Sequence, residues 1–198
     1  MKTAIVFLTK TPHISTYQFA TKIRKETGLD VYIICDMPAP NIIFDNTKID
    51  KVHTAYTDKV NLISVSDKAC IDDGYSGTNI NDNSTHIKKT VIAMDKFLYY
   101  FCEWGKEYDQ YWVFEDDVFI PSVEAIENLI RKYSSYDLIT ANNHAKLDQT
   151  MDWHWRSVVN SIPEPYHYSM VCAMGISKKL INVIRKYARD RKRLFYCE

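Results

Sequence analysis

Apolar runs of strand length alternate with segments of helical period along the chain, and that alternation predicts an α/β layered domain. The first strand is expected at Ala4 to Leu8. A helix should follow from about Ile14 to Glu26, with Ser15 and Gln18 at capping-box spacing and Gly28 just past its end. Val31 to Cys35 reads as a second buried strand, closing at Asp36 and the turn-rich Met37-Pro38-Ala39-Pro40. Shorter strands are expected at Val52 to Tyr56 and Leu62 to Val65. Asp72 to Ser84 is dense in Asp, Gly, Asn and Ser and poor in apolar residues, so it reads as a loop. A long loop inside a compact domain is often functional, which makes this one a candidate lid or ligand loop.

The second half continues the alternation. A long helix is predicted with Ser84 or Thr85 as its cap, Ile87, Val91, Met94, Leu98 and Phe101 on one face, and Gly105 at its close. The clearest strand is Tyr111-Trp112-Val113-Phe114, and it runs directly into Glu115-Asp116-Asp117. Ser122 should cap a helix that turns Ile126, Leu129, Ile130 and Tyr133 inward. Strands are then expected at Asp137 to Ala141 and at Tyr168 to Ile176, and Ser177 should cap a last helix. Between those strands, Asn142 to Pro165 has no clean period and carries two Trp, two His and two Asp.

Composition narrows the function classes. The chain has 198 residues, enough for one domain with a full core, and no linker or repeat divides it. Its 25 Lys and Arg balance 25 Asp and Glu, so the excess of positive charge that nucleic acid or an anionic membrane demands is missing. No stretch reaches the ~20 apolar residues of a membrane span. Five cysteines, widely spaced and never in C-x-x-C, suggest neither a disulfide framework nor a zinc cluster and fit a reducing, cytoplasmic setting. Only 5 residues are glycine, well below the usual ~7%. With no G-x-G-x-x-G and no G-x-x-x-x-G-K, a dinucleotide Rossmann site and a P-loop are excluded at the motif level. The apolar ending Leu194-Phe195-Tyr196-Cys197 suggests one domain of a longer protein.

Candidate chemistry clusters at strand ends. Three adjacent carboxylates after a buried strand repel one another unless something compensates. Mg2+ or Mn2+ does so by taking one or two carboxylates and filling its shell with water and substrate phosphates. The plainer account of Glu115 to Asp117 is a solvated turn. Asp36 ends the second strand, where a carboxylate can accept hydrogen bonds from a nucleobase N–H or a ribose hydroxyl; it is otherwise a turn residue ahead of Pro38. Thr9, Lys10 and Thr11 end the first strand beside it. His86, Lys88 and Lys89 open the predicted long helix, where a cation and free N–H groups suit phosphate, or where lysines are simply solvated. Trp153 and Trp155, with Asp148, Asp152, His154 and Arg156 around them, suit a sugar acceptor stacked on a ring while a carboxylate takes a proton. The same rings serve equally as satellite core. His144, His154 and His167 are candidate further metal ligands, although a lone His is more often structural.

The run Tyr111-Trp112-Val113-Phe114-Glu115-Asp116-Asp117-Val118 resembles the D-x-D motif of GT-A glycosyltransferases in its E-D-D form. The order of features is similar as well: strand, helix, strand ending in Asp36, polar loop, long helix, acidic strand end, aromatic segment. The chain resembles most the compact GT-A domains of large DNA viruses. The similar order spans nearly the whole chain, and the acidic motif with its flanks is the specific part. The resemblance implies a single GT-A domain over residues 1–198, an α/β fold with a mixed, mostly parallel central sheet flanked by helices. It implies Mn2+ or Mg2+ as cofactor and transfer of a hexosyl or deoxyhexosyl group from a nucleotide-sugar, a UDP-sugar being favoured, to a hydroxyl of a glycan or other acceptor. By the same resemblance Asp117 binds the metal that bridges the donor diphosphate, while Asp116 and Glu115 lie toward ribose and donor sugar. Thr9 and Asp36 then fall at the nucleobase, and Asp152 or Asp148 is the base of an inverting enzyme.

Two alternatives use the same residues. A metal-dependent nuclease or phosphotransferase also employs clustered acids, although here the first strand ends in Thr-Lys-Thr rather than in an Asp nucleophile. A non-catalytic carbohydrate-binding domain would rely on Trp153 and Trp155 without a metal.

Overall fold

Every residue from Thr3 to Thr9 is buried, so the first strand belongs in the middle of a sheet covered on both faces. The structure, a computed structural model, describes residues 1–10, 12–36, 52–56, 60–75, 91–145 and 167–191, with backbone alone for 52–56, 142–145, 167, 168, 170 and 191. In chain order the elements are β1 (Thr3–Thr9), α1 (Ile14–Thr27), β2 (Asp30–Cys35), β3 (Val52–Tyr56), β4 (Asn61–Val65), α2 (Asp67–Asp72), α3 (Ala93–Glu103), β5 (Gln110–Glu115), α4 (Val123–Tyr133), β6 (Leu138–Ala145), β7 (His167–Ser177) and α5 (Lys178–Arg191).

The seven strands form one sheet in the order β3-β4-β2-β1-β5-β7-β6. β1 pairs in parallel with β2 and β5, and β2 with β4. β3 runs antiparallel to β4, and β7 antiparallel to both β5 and β6. Five of the seven strands therefore point the same way, and the sheet is mixed but mostly parallel, as expected. Successive strands leave β1 first on one side, through β2 and β4, and then on the other, through β5. The order of the sheet reverses between β1 and β5.

Alternation along the strands divides the core in two. Ala4, Val6 and Leu8 of β1, Tyr32 and Ile34 of β2, and Tyr111 and Val113 of β5 pack under α2, α3 and α5. Ile5, Phe7, Val31, Ile33, Trp112 and Phe114 face the other way, under α1 and α4. Helices cover both faces, which is why the central strands read as continuous apolar runs rather than as alternating ones. Among the described residues no helix is long and apolar enough to cross a membrane.

Several local expectations change. α1 starts at Ile14 as predicted, but its N-cap is His13, so Ser15 lies inside the first turn and forms no capping box. A short helix, α2, precedes the predicted loop, and Gly74 closes it at φ 86°. α3 begins at Ala93, with Ile92 as N-cap, well after the Ser84 or Thr85 start expected. The β-branched run Thr90-Val91-Ile92 disfavours an earlier helix, and the Asp95 carboxylate accepts the Ile92 N–H at 3.1 Å. Lys88 lies outside the described residues, five positions before the helix begins, so neither it nor His86 and Lys89 opens α3. The predicted caps of the later helices hold: Ser122 Oγ accepts from Ala125 N, and Ser177 Oγ from Leu180 N, each at 3.1 Å.

Buried tyrosines bring hydroxyls into the core, and each must be paired. Tyr108 donates to Asp30 Oδ2 at 2.6 Å, and its single proton is thereby committed, so the 2.7 Å contact with Tyr32 is donated by Tyr32. Arg24 holds the other Asp30 oxygen at 2.8 Å. Burial on its own would raise the Asp30 carboxyl, but the hydrogen bonds from Tyr108 and Arg24 outweigh it and hold the pKa below the ordinary carboxylate value. A depressed folded-state pKa contributes stability above the unfolded value, and that contribution is lost as pH falls through the folded one. Asp30→Asn is therefore expected to be less stable than the unchanged protein at neutral pH, with the difference shrinking below pH ~3.9, as denaturant titrations across that range would measure.

Gly175 of β7 sits against Trp112. A Cβ there would lie 3.2 Å from the indole Cη2 and 2.8 Å from Ile139 Cδ1. Ile139 can rotate away, whereas Trp112 is buried on β5, a strand paired with β1 on one side and β7 on the other. Gly175→Val should cost about 1–3 kcal/mol by overpacking, read as a fall in Tm of about 2–4 °C per kcal/mol at this size.

Candidate functional site

The carboxyl ends of β1, β2 and β5 and the first turn of α3 line an open cavity of about 210 Å³. β1 contributes Leu8, Thr9 and Lys10; β2 ends in Asp36; β5 ends in Glu115, Asp116 and Asp117; α3 contributes Ile92, Ala93 and Met94. The cavity lies where the strand order reverses, the crevice in which open α/β sheets bind their ligands. Six of the sequence-predicted residues, Thr9, Lys10, Asp36, Glu115, Asp116 and Asp117, are brought together there.

Main-chain bonds fix the strand ends. Asp116 N donates to Leu8 O at 2.9 Å and Asp36 N to Thr9 O at 2.8 Å. Val118 N closes a turn onto Glu115 O at 3.1 Å, which leaves Asp116 and Asp117 exposed at its tip. Thr9 is buried, and its hydroxyl donates to Asp116 Oδ2 at 2.5 Å. The Thr9 hydroxyl is thus bonded to the acidic motif at the edge of the cavity that both residues line.

Asp36 is held from below by Lys96. The ammonium donates to the Asp36 carbonyl at 2.5 Å, and it pairs with Asp36 Oδ1 at 2.9 Å and Asp67 Oδ1 at 2.8 Å. Burial would lower the Lys96 pKa, but the hydrogen bonds and charges of Asp67 and Asp36 raise it above the ordinary value. Lys96 is not among the residues that the sequence singles out. The available signal was its setting in Ala93-Met94-Asp95-Lys96-Phe97-Leu98-Tyr99-Tyr100-Phe101-Cys102, apolar on all sides and hence buried, where a charge requires a partner.

Cys172 of β7 adjoins the acids. Burial raises its thiol pKa, and the neighbouring carboxylates Glu115 and Asp117 raise it further. Cys35, Cys70 and Cys102 are buried free thiols; burial pushes Cys35 and Cys102 up to about 12. None of these is an activated nucleophile.

The other predicted residues are not joined to this cavity by the structure. Thr11, Lys88, Asp148, Asp152, Trp153 and Trp155 lie outside the described residues. His167 begins β7, and only its backbone is described, paired with Ala145. Among the described residues no three His, Cys, Asp or Glu side chains converge as a ready-made metal cage. An oxygen-loving ion of the Mg2+ type binds through one or two carboxylates, with water and phosphate supplying the rest, and the exposed Asp117 and the adjacent Glu115 offer that donor set.

Chemically, the cavity combines carboxylates with the start of α3, where the Asp95 carboxylate already takes the Ile92 N–H and the other first-turn N–H groups remain. The carboxylates attract a cation, and the helix end favours an anion. No family model, no curated protein and no solved structure matches the chain.

Thr9→Val removes the hydroxyl from a buried position while keeping its shape. It should cost about 1 kcal/mol of unfolding free energy, the scale of one hydrogen bond, and Thr9→Ser should recover most of that loss in denaturant titrations.

Proposed function

We propose that the chain is a metal-dependent glycosyltransferase that moves a sugar from a nucleotide-sugar, a UDP-sugar being favoured, to an acceptor hydroxyl. The observation that supports this reading most is the meeting of Asp36, the Glu115-Asp116-Asp117 run and the first turn of α3 at the reversal point of a mostly parallel sheet. The resemblance of the acidic run to the E-D-D form of the GT-A motif supplies the reaction class.

Each residue has a role suited to its position. Asp117, exposed at the turn, holds the cation with water and donor phosphates, and Glu115 and Asp116 face ribose and donor sugar. A bound Mn2+ or Mg2+ would offset the charge that builds on the departing nucleoside diphosphate. Asp36, fixed by Lys96, accepts a hydrogen bond from the nucleobase or ribose. The first turn of α3 faces the phosphates, where its dipole favours negative charge. Asp152 or Asp148 deprotonates the acceptor hydroxyl, and Trp153 and Trp155 stack the acceptor. The free thiols are in keeping with work in a reducing cytoplasm.

Titration calorimetry with UDP, with and without Mn2+, tests the proposal. Binding should require the metal, and Asp117→Ala should abolish metal-dependent binding and donor hydrolysis while Tm changes by less than about 2 °C, as for an exposed substitution. Metal-independent binding, or phosphodiester hydrolysis by a protein that ignores UDP, would replace this reading with another.

A further inference from the structure

Lys96 is not among the residues that line the cavity, yet it is bonded to one that is, Asp36. It is 2% exposed and lies just inside α3 from Ile92, Ala93 and Met94, which form one wall. An ammonium has three donors, and all three are matched: one to the Asp36 carbonyl, one to Asp36 Oδ1 and one to Asp67 Oδ1. One side chain therefore ties together the end of β2, the start of α2 and the start of α3.

The charges around the cavity give this arrangement a consequence for binding. Asp36, Glu115, Asp116 and Asp117 all line it, and Lys10 is the one cation among the described lining residues. A phosphate-bearing ligand would be repelled by that many carboxylates. Lys96 sets a positive charge directly behind Asp36, and because it claims Oδ1 it also decides where the second carboxylate oxygen points. We propose that Lys96 is a positioning residue for nucleotide binding, acting through Asp36: it fixes the orientation of that carboxylate and offsets its charge so that a nucleoside diphosphate is tolerated beside it. This inference rests on the reading of the cavity as a nucleotide-sugar site.

A strut that only holds three elements together would affect stability and leave affinity alone, or affect affinity whether or not Asp36 is present. The positioning role predicts an affinity change that depends on Asp36. Calorimetric affinity for UDP with Mn2+ should therefore be measured for the unchanged protein, Lys96→Met, Lys96→Arg, Asp36→Ala and the double variant Asp36→Ala with Lys96→Met. Lys96→Met is expected to weaken binding about tenfold or more, as when one partner of a buried charge pair is removed. In the Asp36→Ala background the same change should add less than about twofold, because the two residues act as one unit. Lys96→Arg keeps the charge but not the three-point geometry, so it should fold and bind between the two extremes; it carries the comparison if Lys96→Met does not fold. Unchanged affinity in the folded Lys96 variants, or an undiminished effect in the Asp36→Ala background, overturns the inference alone. Absence of UDP binding by the unchanged protein overturns the nucleotide reading and this inference with it.

Discussion

The carboxyl end of β1 is the joint on which the candidate site depends. Leu8 O takes the Asp116 N–H and Thr9 O takes the Asp36 N–H, so the acidic run and Asp36 are pinned to one strand from opposite sides. Those bonds exist because buried carbonyls must find partners, and β1 is buried along its whole length. Burial in turn follows from its place between β2 and β5, with one apolar set of side chains under α3 and the other under α1 and α4. A core requirement, two covered faces, thus ends by fixing the relative positions of four carboxylates.

Carboxylates gathered this way raise each other's energy, and the fold already compensates part of it. Thr9 gives Asp116 a hydrogen bond, Lys96 gives Asp36 both a hydrogen bond and a charge, and the start of α3 presents its positive end. Glu115 has the Cys172 thiol, a weak donor, beside it, and Asp117 is exposed at the turn. Cys172 shows their effect: beyond the contribution of burial, those two carboxylates push its thiol up. The less compensated charge is therefore on the pair best placed to meet a cation. Asp36 and Asp117 thus end strands at the same edge in different surroundings, the first paired with Lys96 and the second exposed.

Local pattern carried much of this into the sequence. β1, β2 and β5 are apolar runs because they are covered on both sides, and Ser122 and Ser177 are legible as caps because a cap is a contact between residues three apart. The acids at the end of β5 and Asp36 at the end of β2 were legible for the same reason: a charge that interrupts a buried run marks its end. The start of α3 was misread, since helical spacing continues from Ile87 through Val91 to Met94 while the β-branched residues of that stretch oppose a helix. What no local pattern encodes is pairing across the chain. Thr9 meets Asp116 across 107 positions, and Lys96 meets Asp36 across 60. The bond from the Thr9 hydroxyl to Asp116 and the pairing of Lys96 with Asp36 are therefore absent from the sequence expectations.

Glycine, so scarce in this chain, completes the argument about how an anion would be held. A phosphate bound by a glycine-rich loop needs backbone free of Cβ atoms at the point of approach. None of the described residues lining the cavity is glycine. The glycines have other tasks: Gly28 ends α1 in the left-handed conformation at φ 70°, and Gly175 leaves room for the Trp112 ring on the opposite face of the sheet from α3. With the backbone cradle absent among the described residues, favourable interactions with a diphosphate must come from a helix terminus and from positive charge. The chain places one lysine, Lys10, at the cavity and commits another, Lys96, to Asp36 and Asp67. On the proposed reading further positive charge arrives with the ligand, and Asp117 and Glu115 are the carboxylates that would meet it.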